Sequence, residues 1–143
     1  SEKPDIWVLS GAMNITTKIL ELVENCKNEV MITLPEVGID LVKQALPKLR
    51  ALHDKGVKIT ILTSDKIDKE SITSIKRVAE IKIKKGLFGG GIISDKRYVV
   101  ILLGPEIAGE NSSEVIAIWA DHIGLAGFAR QYFEYLLKDS KKV

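Results

Sequence analysis

The apolar positions of this chain fall into short clusters separated by glycine, proline and charged turns, and the clusters switch between a strand period and a helix period. Ile6-Trp7-Val8-Leu9 is a continuous apolar run ending at Ser10-Gly11, and Ile15, Ile19, Leu22, Val23 and Cys26 follow at helical spacing. Val30 to Leu34 predicts a second strand, stopped at Pro35, which has no N–H for a ladder. Val42, Ala45, Leu46, Leu49 and Leu52 predict a second helix closed by Gly56. Pro47 falls inside that stripe and predicts a kink, or a restart with Pro47 in the first turn. Lys58 to Thr63, rich in β-branched residues, predicts a third strand. Such a β-α-β-α-β series implies parallel neighbouring strands with right-handed crossovers, so the first half is expected to be doubly wound.

In the second half Asp68 stands where it would cap a short helix with Ile72, Ile75 and Ala79 on one face. Strands are expected at Glu80 to Lys84, Gly91 to Ser94, Tyr98 to Leu103 and, past a polar loop at 109–113, Val115 to Ala120. The tight connection Asp95-Lys96-Arg97 makes a hairpin of the middle two, so this half is partly antiparallel. Lys82 and Lys84 alternate with Ile81 and Ile83, the pattern of an edge strand guarded by lysines. A final helix over about Leu125 to Lys138 carries apolar residues on more than one face. One face is expected to pack on the sheet, leaving Phe128, Tyr132 and Tyr135 for a partner. The expected fold is one α/β domain over residues 1–143, a mixed sheet with a parallel β-α-β-α-β first half, antiparallel strands and a long C-terminal helix.

Composition narrows the function classes. With 143 residues, 45% apolar and 28% charged, the chain supports one ordinary core. Its longest apolar runs, Tyr98 to Leu103 and Val115 to Trp119, fall far short of the roughly 20 residues a membrane span needs. The first five residues show no export signal, so a cytoplasmic location is expected. Cys26 is the only cysteine, which leaves neither a disulfide framework nor a zinc site, and it is expected to be buried and inert. A formal charge of +2, with lysine well ahead of arginine, does not mark a chain that grips DNA directly.

Candidate chemistry is sparse. Ligands of open α/β sheets sit beyond the carboxyl ends of parallel strands, which here read Ser10-Gly11, Pro35-Glu36 and Ser64-Asp65. Ser10, Glu36, Ser64 and Asp65 are therefore candidate effector contacts, although turns use the same residue types. Of two histidines, His53 suits the last turn of the second helix. His122 follows Asp121 just before the last helix; the pair reads as a helix cap, or as a further effector contact. Gly86, Gly89, Gly90 and Gly91 fit neither the P-loop nor the dinucleotide fingerprint and mark a close backbone approach. No metal or cofactor is expected, and no catalytic residue is assigned.

The run Gly91-Ile92-Ile93-Ser94-Asp95, the strand from Tyr98, Val115-Ile116-Ala117-Ile118-Trp119 and a helix holding Tyr132-Phe133-Glu134-Tyr135-Leu136 together resemble one half of the phospholipase D fold. Adding Pro4-Asp5-Ile6-Trp7-Val8-Leu9-Ser10-Gly11 and Val30 to Pro35, nearly the whole chain resembles the non-DNA-binding domain of archaeal TrmB-like transcription regulators. Phospholipase D enzymes carry His-x-Lys-x-x-x-x-Asp; with the aspartate at Asp95, the lysine position is Gly90 and the histidine position Phe88, so both catalytic positions are empty. The resemblance implies a catalytically inactive domain that forms a homodimer and responds to a small-molecule effector, a sugar or other metabolite. DNA would be read by a winged helix absent from this chain. In sugar-sensing members the sugar pocket belongs largely to a further carboxyl-terminal domain, and the chain stops at Val143. The alternatives are a phosphodiester hydrolase using Asp95, Asp121 and His122, and a purely structural pairing module.

Overall fold

Strand β2 (Glu29–Leu34) shows how the layers arise: Val30, Ile32 and Leu34 point to one face of the sheet, Met31 to the other, and all four are buried. A strand buried on both sides needs helices on both faces. The computed structural model describes residues 5–35, 38–87, 89–103 and 115–143. The remaining strands are β1 (Asp5–Ser10), β3 (Lys58–Thr63), β4 (Glu80–Ile83), β5 (Gly90–Ser94), β6 (Tyr98–Leu103), β7 (Ile116–Asp121) and β8 (Lys141–Lys142). The helices are α1 (Ala12–Glu24), α2 (Ile39–Asp54), α3 (Lys69–Lys76) and α4 (Ile123–Leu137). Helices α1, α2 and α3 cover one face through Ile15, Val23, Leu49 and Ile75. Helix α4 covers part of the other through Ala126, Phe133 and Leu136, against Met31, Leu62, Ile93, Val99 and Ala120.

The sheet order is β1-β7-β6-β5-β2-β3-β4-β8. Strands β2, β3 and β4 are parallel, and every other pairing is antiparallel. This corrects one expectation: β1 runs in the direction of β2 and β3 but is not their neighbour. It lies on the outer side of β7, because β5, β6 and β7 fill the space between. Stacking of Trp7 on Trp119 across β1 and β7, with centroids 5.6 Å apart, favours that pairing.

One cross-strand row spans the whole sheet. Val8, Ile118, Ile101, Gly91, Thr33, Leu62, Lys82 and Lys142 are successive register partners across all eight strands, on the face that α4 partly covers. The row ends in two lysines because β8 pairs with β4. The lysine-guarded strand is therefore not the edge; two residues of β8 cover it, drawn in as Val143 N–H donates to the Ile81 carbonyl and packs on the core.

Two local predictions are settled by burial and turn geometry. Helix α2 runs unbroken through Pro47, with no restart, because Val42, Ala45, Leu49 and Leu52 are buried on both sides of the proline. The hairpin turn places Asp95 and Lys96 at φ 54 and 58, left-handed backbone that non-glycine residues adopt only when something holds them there. For Asp95 that support is the hydrogen bonding of its carboxylate to the Lys27, Asn28 and Glu29 amides. Among the described residues no helix is long and apolar enough to cross a membrane.

Candidate functional site

The sequence candidates do not converge on one crevice. Ser10 ends β1 and Ser64-Asp65 follows β3; the strands are five positions apart in the sheet, roughly 24 Å. Each belongs to a local turn: the Ser10 carbonyl accepts from Asn14 Nδ2 at 2.9 Å, and Ser64 Oγ accepts from the Lys66 N–H at 3.3 Å. Glu36, between β2 and α2, lies outside the described residues. Asp121 and His122 stand at the opposite end of the sheet, since Asp121 pairs with Asp5 while Ser10 pairs with Ile116. Asp121 accepts from Arg97 Nε at 2.6 Å. His122 Nδ1 accepts from the Leu125 N–H at 2.9 Å, which makes it the α4 N-cap. Gly124 leaves room for that imidazole: a Cβ there would sit 2.9 Å from His122 Cε1.

Asp95, aligned with the aspartate of the phospholipase D motif, is a structural hub. Its carboxylate accepts from the backbone N–H groups of Lys27 (2.9 Å), Asn28 (2.7 Å) and Glu29 (3.2 Å), tying the α1–β2 connection to the hairpin. Burial pushes its carboxyl up, but those three amides and the Cys26 thiol outweigh burial and hold it below the usual carboxylate range. Cys26 is itself buried, which pushes its thiol up and away from the reactive thiolate. Asp95→Asn keeps a residue that tolerates left-handed backbone but removes the charge. It is expected to cost about 1–2 kcal/mol at neutral pH in urea unfolding. The folded carboxyl titrates below the unfolded one, so this contribution is fully present above the unfolded range and is lost as pH falls through the folded value. The gap between parent and variant should therefore close on acidification; a gap that widens would contradict this role.

The lysine position of the motif is closed as well as empty. A Cβ on Gly90 would lie 2.6 Å from Pro35 Cδ and 3.1 Å from both Leu102 Cδ1 and the Thr33 carbonyl oxygen. The histidine position, Phe88, lies outside the described residues.

On the opposite face, beneath α4, is a cavity of about 340 Å³ that the sequence reading missed. Its floor includes Gly91 and Thr33 of the cross-strand row, its walls Ile93, Val99 and Ala129, and Phe128 and Tyr132 stand at its rim. The row explains it: Gly91 falls where the alternation calls for a side chain beneath α4, and a Cβ there would meet the Val100 carbonyl oxygen at 2.5 Å. Phe128 (74% exposed), Tyr132 (55%) and Tyr135 (63%) form an i, i+4, i+7 stripe, in line with the surplus apolar face read from the sequence. Ile6, Val8, Leu103 and Ile116 add exposed apolar surface on the same side of the sheet.

Similar solved structures share this fold. TrmBL2, an archaeal chromatin protein whose structure shows a novel mode of DNA binding, superposes with a TM-score of 0.80 at 19% identity. The match covers 100% of this chain and 56% of TrmBL2, so the chain spans little more than half of that protein. Nuc from Salmonella typhimurium, a phospholipase D family member, gives a TM-score of 0.76 at 13% identity and 99% coverage of both chains. NucT from Helicobacter pylori gives 0.79 at 12% identity, covering 99% of this chain and 100% of that one. At such identities the likeness shows the phospholipase D-like fold alone. No curated protein matches the sequence. Residues 5–143 match the family described as transcriptional regulator TrmB, EBD N-terminal subdomain, and the chain belongs to that family of regulator domains.

Proposed function

We propose that this domain pairs two regulator chains and senses a small molecule without catalysing a reaction, while a winged helix elsewhere in the intact protein reads DNA in the cytoplasm. The observation that carries the reading is the apolar surface left open on the α4 side, where Val8 is 68% and Phe128 74% exposed. Exposed apolar residues gathered on one side of a sheet mark a candidate interaction site. It adjoins β1, whose Ile6-Trp7-Val8-Leu9 run carries neither lysine nor proline to discourage pairing. TrmBL2 is described as a DNA-binding chromatin protein, which agrees with a DNA-directed role for the intact regulator. The closed Gly90 position supports the absence of phosphodiester chemistry.

The test is a pair of substitutions on this face. Val8→Lys and Phe128→Asp each bring a charge into the apolar surface and are expected to weaken self-association at least tenfold, about 1.4 kcal/mol. Sedimentation velocity reads the shift. Unchanged association in both variants would contradict the assignment of this face. Serine and carboxylate contacts at Ser10, Ser64 and Asp65 remain secondary proposals for the effector, since they are far apart; Asp121 and His122 are proposed to hold α4 rather than ligand.

A further inference from the structure

We propose that the cavity beneath α4 is a ligand site for a neutral, largely apolar small molecule carrying no more than one hydrogen-bonding group. Its volume, about 340 Å³, falls within the range of small-molecule pockets. Its chemistry is one-sided. Among the described residues, the side chains lining it include no charged group, and the only hydroxyls are those of Thr33 and Tyr132. A carboxylate or phosphate would be stripped of water there with no cation to meet it, and most hydroxyls of a sugar would lose their partners. An alkyl or terpenoid-like body would instead meet Ile93, Val99 and Phe133. Concave sites lined mainly by apolar side chains take apolar guests.

The void is built into the backbone and does not result from loose packing. Gly91 is held in register between Thr33 and Ile101, and the Val100 carbonyl oxygen bars a Cβ. Ile93 (6% exposed) and Val99 (1%) are held in the core beside it, so these walls cannot collapse into the gap. A small molecule suits the concavity better than a peptide, because α4 residues Phe128, Ala129, Tyr132 and Phe133 line one side of it against the sheet. The Phe128 and Tyr132 rings also belong to the surface proposed for pairing. A guest that orders them would tighten pairing, and that coupling alone rests on the function proposed above.

The experiment titrates the full chain with 1-hexanol through 1-dodecanol, decanoate and glucose, by calorimetry and thermal melting. Alkanols are expected to bind one per chain, with affinity rising about fourfold per methylene until the cavity is full and then levelling. Decanoate should bind at least tenfold more weakly than 1-decanol, and glucose should not bind. Ala129→Phe fills the cavity and should reduce 1-decanol affinity at least tenfold. If that variant fails to fold, Tyr132→Ala at the exposed mouth should reduce it severalfold. Absence of saturable alkanol binding, affinity that climbs without levelling, decanoate as tight as decanol, or full affinity in both variants would each overturn the proposal. A monomeric chain that still binds decanol would overturn the pairing function and leave this site standing; a dimer that ignores every alkanol would do the reverse.

Discussion

Phe133→Ala is expected to destabilise the domain by about 3–5 kcal/mol, the cost of truncating a buried aromatic in a core that cannot close around the loss. Phe133 is 3% exposed and, among the described residues, is the one aromatic in the buried cluster joining α4 to the sheet. The cavity beneath α4 already lies alongside it, so the new void would merge with an existing one that Gly91 keeps open. That places the expected loss toward the upper end. For a chain of this size it corresponds to a fall in Tm on the order of 10 °C. Phe128→Ala, five residues earlier on the same helix but 74% exposed, should change stability by no more than about 0.5 kcal/mol. Urea unfolding of both variants checks the contrast, and a Phe133→Ala loss under about 1.5 kcal/mol would contradict the packing of α4.

Restoring the phospholipase D residues should fail twice over. The double substitution Phe88→His with Gly90→Lys writes the missing histidine and lysine back into the motif around Asp95. At position 90 the new side chain must displace Pro35, whose Cδ lies 2.6 Å from where its first carbon would stand, and must pass the Thr33 carbonyl oxygen at 3.1 Å. Overpacking of this kind costs about 1–3 kcal/mol or more. Asp95 would still be committed to the Lys27, Asn28 and Glu29 amides. Thermal melting should show the loss, and an assay with a chromogenic phosphodiester should show no turnover above the parent. Turnover that appears on restoration would mean that the site is empty but still shaped for catalysis.

What could be read from the sequence was local. The strand and helix periods, the Asp68 cap on Ser71, the His122 cap and the exposed stripe on the last helix depend on residues a few positions apart. Asp68 accepts from both the N–H and the hydroxyl of Ser71, and its carboxyl is held below the usual range, chiefly by that hydroxyl. The features that escaped depend on strand order. Adjacency of β1 to β7 pairs residues more than a hundred positions apart, which no periodicity records. The Asp95 carboxylate meets backbone groups 66 to 68 positions away. The cavity needed the register: Gly91 read as a close backbone approach, which it is, but only the row from Val8 to Lys142 shows that the missing side chain leaves a space beneath α4. The strand carrying Lys82, read as an edge, is flanked by the chain's own last strand.

Pairing is the claim on which the functional account turns, and sedimentation equilibrium of the unaltered chain from micromolar to millimolar concentration tests it most directly. A reversible rise in apparent mass from one chain toward two is expected, the behaviour of an apolar surface that covers itself by association. A single-chain mass across the whole range would contradict it and leave the exposed apolar face without the role given to it here.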